Sequence, residues 1–157
     1  MDCSHIQFET CKSKVDCTQL KSLLDQTAFW ARDRQIQDLE IAIAHSYPVV
    51  TVWDENRLIG FARATSDGVY RACIWDVVIH PEYQGWGLGQ KLVETIISHP
   101  HLSRVERIYL MTTYQQPFYQ RIGFEENSTT TMVLHAHAWT TQMQIGESPS
   151  SANIEAG

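Results

Sequence analysis

Three glycines lie within five residues in the sequence QGWGLG, at positions 84–89, and this is the segment best suited to ligand binding. An apolar run precedes it, and apolar residues at helical spacing follow it. Glycines so spaced let main-chain N–H groups approach a ligand, and at the start of a helix these groups favour an anion. The pattern therefore predicts a phosphate-binding loop within a strand–loop–helix unit.

Two familiar phosphate loops do not match this segment. A P-loop needs Lys and Ser or Thr directly after its last glycine, but Gln90 follows Gly89. A dinucleotide loop needs G-x-G-x-x-G, but the sixth position is Gln90 counted from Gly85 and Leu92 counted from Gly87. The remaining pattern, Q-x-x-G-x-G before a helix, favours a diphosphate held by backbone N–H groups and the helix dipole.

The elements around this loop predict a mixed α/β structure with two layers. Asp16 and Asp33 are predicted to cap the first two helices, with Phe29 and Trp30 extending the apolar face of the first. The predicted elements, in chain order, are a strand at 6–10, these two helices, three antiparallel strands at 49–53, 58–64 and 69–80, a helix from 88 stopped by Pro100, a strand at 107–113, a helix at 116–122 ended by Gly123, and a strand at 132–139.

Composition narrows the class of protein. The 157 residues suit one domain, predicted at 1–145, and the Ser, Pro, Gly and Ala content of 146–157 predicts a disordered tail. The net charge of −6 without a basic cluster argues against nucleic acid, and the apolar runs are too short to span a membrane. The N-terminus lacks the pattern of a signal peptide, and four cysteines without a C-x-x-C pair predict reduced thiols and a cytoplasmic location.

Two long segments resemble a known enzyme family. IWDVVIHPEYQGWGLGQKLVETII is similar to motif A of the GNAT superfamily of acetyl-coenzyme A-dependent N-acetyltransferases, and RIYLMTTYQQPFYQRIGFEE is similar to its motif B. The resemblance covers about residues 5–138 and implies the acyl-CoA N-acyltransferase fold, a central, mostly antiparallel sheet flanked by helices. LIGFARATSD with the start of motif A is closest to a cyanobacterial and plastid branch, in which some enzymes acetylate arylalkylamines such as serotonin and others acetylate protein amines.

The resemblance also implies roles for single residues. Backbone groups of Val77, Val78 and Ile79 would hydrogen-bond the pantetheine arm of acetyl-coenzyme A and polarise the thioester carbonyl. Tyr119 matches the family's usual general acid, which protonates the departing thiolate. The diphosphate would be cradled by the six loop residues Gln84, Gly85, Trp86, Gly87, Leu88 and Gly89.

The group that deprotonates the amine is left open among Asp76, His80 and Glu82. Asp76 interrupts an apolar strand, where an unpaired charge is costly. It is therefore a candidate base acting through water, a cation-binding carboxylate, or a carboxylate satisfied by a neighbouring donor. His80 has a suitable unperturbed pKa, although it stands at an ordinary strand end.

Other residues have alternative interpretations. Thr112 stands where many members of the family carry Asn, and Gln115 or Gln116 is a candidate substitute. Lys91 either assists phosphate binding or is solvated. His135 and His137 lack a third ligand nearby, so no metal is predicted. A set of aromatic residues either lines an aromatic acceptor pocket or belongs to the core: Trp30, Tyr47, Trp53, Tyr70 and Trp75.

The sequence thus predicts an N-acetyltransferase in which an amine attacks acetyl-coenzyme A directly. The acceptor is an arylalkylamine, a polyamine or a protein amine. Cys73 lies in a strand and suits packing better than nucleophilic attack, so no acyl-enzyme is expected. The alternatives are a GNAT fold that binds coenzyme A without catalysis and an enzyme using a longer acyl group. Homodimers are common in the family and are a further expectation.

Overall fold

A computed structural model describes residues 3–128 and 131–135, and its centre is a sheet of five strands in the order β1-β2-β3-β4-β5. All helices and strands lie in a first compact unit, Met1–Phe124, whereas the described residues of a second unit, Glu125–Gly157, form neither. The strands are β1 Ile6–Glu9, β2 Val49–Asp54, β3 Arg57–Ser66, β4 Arg71–Ile79 and β5 Arg107–Leu110. The α-helices are α1 Cys17–Thr27, α2 Ile36–Ala44, α3 Leu88–Ile97 and α4 Gln116–Ile122.

The sheet separates two apolar cores because side chains alternate between its faces. On β2, Val50 and Val52 join the cluster that contains the buried side of α3, whereas Val49 joins the cluster that contains α1 and α2. Strand β3 divides in the same way, with Ile59 in the first cluster and Phe61 in the second. The predicted mixed sheet flanked by helices is therefore confirmed.

The N-termini of α1 and α2 test the two predicted capping residues. The Asp16 carboxylate accepts hydrogen bonds from the backbone N–H groups of Thr18 and Gln19, so the predicted cap of α1 is confirmed. The predicted cap at Asp33 is wrong, because α2 begins at Ile36 with Gln35 as its N-cap.

The chain between α1 and α2 also differs from the prediction. Helix α1 ends at Thr27, and a turn of 3₁₀ helix at Phe29–Ala31 follows. Phe29 and Trp30 are therefore largely exposed and do not extend the apolar face of α1, while the neighbouring alanines Ala28 and Ala31 are buried in their place. This turn exposes two large aromatic side chains near the sheet edge.

Strand β4 contains a β-bulge at Asp76. Its pairing with β3 shifts between Phe61–Val78 and Arg63–Trp75, so that β4 has one residue more than β3 in this interval. Asp76 lies in this β-bulge with a φ of 57°, in the left-handed region. Bulges bend a strand and increase its local twist, so β4 changes direction just before Val77.

Two strand predictions near the C-terminus need correction. Strand β5 stops at Leu110 instead of continuing to position 113. In the predicted strand at 132–139, residues 132–135 are not in a strand, and 136–139 lie outside the described residues, as does the predicted tail from 146. Helix α4 and its end at Gly123, with a φ of 113°, are confirmed.

Candidate functional site

A cleft of about 690 Å³ opens between the end of β4, the glycine loop, α4 and the turn after α1. It exists because β4 and β5 pair in parallel only from Arg71–Arg107 to Ile74–Leu110. Beyond Ile74, the described part of the chain provides no strand on this side of β4. Val77, Val78 and Ile79 therefore line the cleft.

Gly85 and Gly87 adopt left-handed backbone conformations, with φ of 82° and 77°. A Cβ atom at either position would meet nothing within 4 Å, so the glycines are needed for backbone conformation and leave the loop open to the cleft. Gly87 is the N-cap of α3, and the first helical bond there runs from the Lys91 N–H to its carbonyl. The preceding N–H groups have no helical acceptor, which makes the loop suitable for an anion.

Gly89 has a different role. A Cβ atom there would lie 3.4 Å from the ring of Phe118 on α4 and 3.8 Å from a side-chain carbon of Ile79. The missing side chain therefore lets α3 and α4 approach each other beside the cleft. Sequence spacing alone does not separate this packing glycine from the two conformational ones.

The polar and aromatic side chains of the loop region do not all face the cleft. The Gln84 amide donates to the Ile79 carbonyl at 3.0 Å and so holds the loop to the end of β4. The Trp86 ring packs on Tyr83 and the apolar core and does not line the cleft, although its backbone belongs to the loop. Lys91 places its ammonium over the ring of Phe8, away from the cleft. Leu88 is buried and also lines the cleft.

Tyr119 lies half-buried on the α4 side of the cleft, between the rings of Phe118 and Phe124. Burial raises the pKa of its phenol to about 12. Among the described residues, none accepts a hydrogen bond from the Tyr119 hydroxyl. The phenol is therefore fully protonated at neutral pH and is placed to donate to a ligand.

Asp76 lines the cleft directly before Val77–Ile79 on β4. Its carboxylate accepts hydrogen bonds from Arg34 Nη1 and Arg63 Nε, both at 2.8 Å and both to Oδ2. The indole N–H of Trp30 is 3.4 Å from Oδ1. Burial alone would raise the pKa of Asp76, but the hydrogen bonds from the two guanidinium groups outweigh it and hold the pKa below its usual range.

The other two candidate bases do not line the cleft. Glu82 is exposed and bonds Arg57 at 2.7 Å. His80 Nε2 lies 3.0 Å from both Arg57 and the Gln26 side-chain oxygen, and His80 Nδ1 accepts from the Glu82 N–H. Burial, and then the charge of Arg57, lower the pKa of His80, so its imidazole is neutral at pH 7.

The cleft also contains three residues that the sequence did not mark as site candidates. Phe29 lines it at the Asp76 end, and Tyr114 and Arg121 line it on the α4 side. Of the proposed aromatic pocket, Trp30 lines the cleft and Tyr47, Trp53, Tyr70 and Trp75 do not. An aromatic pair between two alanines, as in Ala28–Ala31, is the only sequence signal for Phe29, and it is equally typical of a helix face.

Some polar residues near the start of α4 line the cleft and others do not. Thr112 and Gln115 line the cleft, and the Gln115 N–H donates to the Thr112 hydroxyl at 3.1 Å. The Gln116 amide instead donates to the Thr113 carbonyl at 3.1 Å. Of the two glutamines considered as substitutes for the family's Asn, Gln115 is therefore the one with access to a ligand.

No cysteine lies at the cleft, and all four are free thiols. Burial raises the pKa of Cys73, which makes it a poor nucleophile at neutral pH. In residues 3–128 and 131–135, no group of three or more His, Cys, Asp or Glu side chains is arranged to hold a metal. Within the same residues, no helix is long and apolar enough to cross a membrane. His137 lies outside the described residues.

The model of the acetyltransferase (GNAT) family matches residues 17–124, which include β2 to β5, the glycine loop and Tyr119. The chain belongs to the GNAT family. The segment that resembles motif A corresponds to β4, the loop and α3, and the segment that resembles motif B corresponds to β5 and α4.

Relatives of this GNAT chain include N-acetyltransferases of Gracilaria tenuistipitata and Arabidopsis thaliana. It is 41% identical over 120 residues to the uncharacterized N-acetyltransferase ycf52 of Gracilaria tenuistipitata, covering 71% of this chain and 63% of that protein. It is 36% identical over 133 residues to GCN5-related N-acetyltransferase 2, chloroplastic, of Arabidopsis thaliana, covering 71% of this chain and 51% of that protein. The chain thus spans less than two thirds of either relative.

The fold agrees with that of solved GNAT structures. A putative acetyltransferase of the GNAT family from Xanthomonas campestris superimposes with a TM-score of 0.73 at 28% identity, covering 83% of this chain and 94% of that one. The expected mixed sheet flanked by helices is the fold of this family.

Proposed function

We propose that this GNAT enzyme transfers an acetyl group from acetyl-coenzyme A to a primary amine by direct attack of the amine on the thioester. The observation that supports this proposal most directly is the edge of β4 from Val77 to Ile79, which faces a cleft between the glycine loop and Tyr119. A free strand edge offers alternating N–H and C=O groups to an extended ligand such as the pantetheine arm.

The glycine loop would hold the diphosphate of the donor. Its left-handed residues Gly85 and Gly87 leave the approach open, and the N-terminus of α3 favours negative charge. Arg121, which lines the cleft and lies over the Phe118 ring, supplies a cation for a phosphate group. The donor would then run from this loop along β4 towards the bulge at Asp76, which places the acetyl group near the bulge.

In the proposed reaction, a C–N bond forms between the amine and the thioester carbonyl carbon, and the C–S bond then breaks. A backbone N–H of Val77–Ile79 stabilises the negative charge that develops on the carbonyl oxygen. Tyr119 donates a hydrogen bond to the departing sulfur. The pKa of Tyr119 is about 12, above that of a thiol, so Tyr119 does not remain as tyrosinate beside a protonated sulfur. Tyr119 therefore passes its proton to sulfur while it takes the proton that the attacking nitrogen releases.

The acceptor class is an arylalkylamine such as serotonin or tryptamine, a polyamine or a protein amine. Three largely exposed aromatic side chains in the cleft, Phe29, Trp30 and Tyr114, favour the arylalkylamine because they offer ring surfaces to an aromatic group. Asp76 is not proposed to bind the ammonium group, since both guanidinium partners already neutralise it. The cytoplasmic location and the homodimer stay predictions.

The test is coenzyme A release from acetyl-coenzyme A with tryptamine, serotonin, spermidine and lysine-containing peptides. We expect turnover of one amine class and a decrease of kcat of about 10-fold or more in Tyr119→Phe, from loss of proton transfer. The control is Tyr70→Phe, an exposed tyrosine that does not line the cleft. If acetyl-coenzyme A binds and none of these amines is acetylated, the proposal fails and a non-catalytic coenzyme A-binding role replaces it. Butyryl-coenzyme A in the same assay tests for a longer acyl group.

A further inference from the structure

We infer that Arg34 and Arg63 act through Asp76 as positioning residues, which hold the acceptor-side wall of the cleft and so determine affinity for the acceptor amine. The acceptor-side wall is defined here as Phe29 and Trp30. The inference rests on the proposed function, because it takes the Asp76 end of the cleft as the place where the amine meets the acetyl group.

The first step is the environment of the Asp76 carboxylate. Its side chain is only 4% exposed, and it projects from the left-handed residue of the β4 bulge. A buried carboxylate is tolerated when ion pairs and hydrogen bonds satisfy it. Both guanidinium groups contact the same oxygen, Oδ2. Because Arg34 lies before α2 and Arg63 lies in β3, the carboxylate bridges two separate parts of the chain.

The two arginines differ in what holds them. Arg63 belongs to β3, donates from Nη1 to the Ser46 hydroxyl at 3.1 Å and lies over the Trp75 ring. It is therefore part of the rigid sheet. Arg34 lies in the connection between the turn at Phe29–Ala31 and α2. Asp76 thus ties this connection to the sheet, with Arg34 on one side and Arg63 on the other.

The acceptor-side wall has little burial of its own. Phe29 is 62% exposed and Trp30 is 51% exposed, and their rings contact each other edge to face at 5.1 Å. Ala28 and Ala31 anchor the backbone of the turn in the core. The Trp30 ring has a polar contact, from its indole N–H to Asp76, and Asp76 is in turn held by Arg34.

This arrangement distinguishes positioning from proton transfer. Asp76 has two cations on one oxygen, and its lowered pKa makes it a poor proton acceptor. A positioning carboxylate acts only through its partners, so removing Arg34 should reproduce the effect of removing Asp76 on acceptor binding. A catalytic base would be sensitive to its own replacement and much less to that of Arg34.

The test compares Arg34→Gln and Arg34→Lys with Arg32→Gln, a control at an exposed arginine that does not line the cleft. Arg34→Gln should raise the KM for the acceptor about 5- to 10-fold, about the net value of one typical hydrogen bond. Its kcat should stay within about 2-fold, and its Kd for acetyl-coenzyme A should not change. Arg34→Lys should restore part of the loss, and Arg32→Gln should match the wild type. An unchanged acceptor KM in Arg34→Gln overturns the inference.

A double-mutant cycle with Asp76→Asn separates the two roles further. For a positioning pair, Arg34→Gln adds little to the acceptor KM of Asp76→Asn, and both variants keep most of the wild-type kcat. If Asp76→Asn abolishes turnover while Arg34→Gln has no effect, Asp76 is a base and the inference is wrong.

The position of the wall can also be measured without any acceptor. The fluorescence of Trp30 is isolated as the difference between a protein and its Trp30→Phe counterpart, in wild-type and Arg34→Gln backgrounds. Acrylamide should quench this difference signal more strongly in Arg34→Gln than in the wild type or in Arg32→Gln. Equal quenching contradicts the positioning role. Failure of the wild type to acetylate any amine, with increased quenching in Arg34→Gln, contradicts only the proposed function.

Discussion

The two ends of the cleft are built in different ways. The donor end, where we propose that acetyl-coenzyme A binds, consists of backbone: the edge of β4 at Val77–Ile79 and the left-handed glycines Gly85 and Gly87. The acceptor end consists of side chains, with the exposed rings of Phe29 and Trp30 beside the ion-paired Asp76. Backbone offers the same groups for any sequence with this conformation, whereas exposed rings change with each substitution.

This difference has a physical consequence for specificity. The buried apolar residues of β4 and α3, such as Ile79 and Leu92, fix the donor end within the larger core. The acceptor end is attached instead by two alanines buried in the second cluster and by one carboxylate. The donor site can therefore stay constant while the acceptor site varies, as expected for enzymes that share a cofactor and differ in substrate.

The largest expected effect concerns the attachment of the acceptor end. Asp76→Asn should lower the free energy of unfolding by about 3 kcal/mol at pH 7, because it leaves two guanidinium groups without their anion. The pKa of Asp76 is lowered in the folded state, so this contribution is present above the unfolded pKa of about 3.9 and is lost as pH falls through the folded pKa. Urea unfolding of both proteins from pH 7 to pH 3 measures it, and a difference that grows on acidification contradicts the prediction.

The next effect tests the donor end. Gly87→Asp should raise the Kd for acetyl-coenzyme A about 10- to 100-fold relative to Gly87→Asn, because a carboxylate at the N-cap of α3 repels the diphosphate. Both residues tolerate the left-handed conformation and have similar size, so the comparison isolates the charge. Titration calorimetry gives both constants. Equal constants would place the diphosphate elsewhere.

A smaller effect is expected for the rings of the acceptor-side wall. Phe29→Ala should raise the KM for an aromatic amine about 3- to 10-fold, about the value of one aromatic contact. The Kd for acetyl-coenzyme A should not change. Ile41→Ala, at an exposed apolar residue of α2 that does not line the cleft, is the control. Steady-state kinetics with tryptamine and spermidine sharpen the comparison, since loss of affinity for both amines would exclude ring recognition.

The smallest expected effect concerns the contact between α3 and α4. Gly89→Ala places a methyl group 3.4 Å from the Phe118 ring, which must shift by a few tenths of an ångström. Since Tyr119 follows Phe118 on α4, kcat should fall about 2- to 5-fold, because small displacements of a proton donor reduce its help. Donor binding should change less than in Gly87→Asp. A larger loss of donor affinity than of kcat would contradict this role for Gly89.

Much of the fold could be predicted from local signals. The cap at Asp16, the helix from Leu88 and the left-handed end of α4 at Gly123 are short-range features, set by neighbouring residues in the chain. The glycine loop and Tyr119 were recognisable as parts of two motifs that belong to the GNAT family. These predictions required only spacing and residue type.

The errors and omissions share a cause in long-range packing. The end of α1 at Thr27 depends on buried Ala28 and Ala31, which fit the core where Phe29 and Trp30 do not. Nothing local distinguishes that outcome from a longer amphipathic helix. In the same way, the packing of Trp86 against the apolar core is a tertiary contact.

The sequence by itself determined the family, the order of the elements and the backbone character of the donor end, since glycine spacing and apolar periodicity are properties of adjacent residues. Only the tertiary structure decided the role of Asp76. Its partners Arg34 and Arg63 are 42 and 13 residues away along the chain, and they meet on one carboxylate oxygen because the β4 bulge turns that side chain towards them. A charge in an apolar strand shows that a partner must exist, but the fold determines which residue it is.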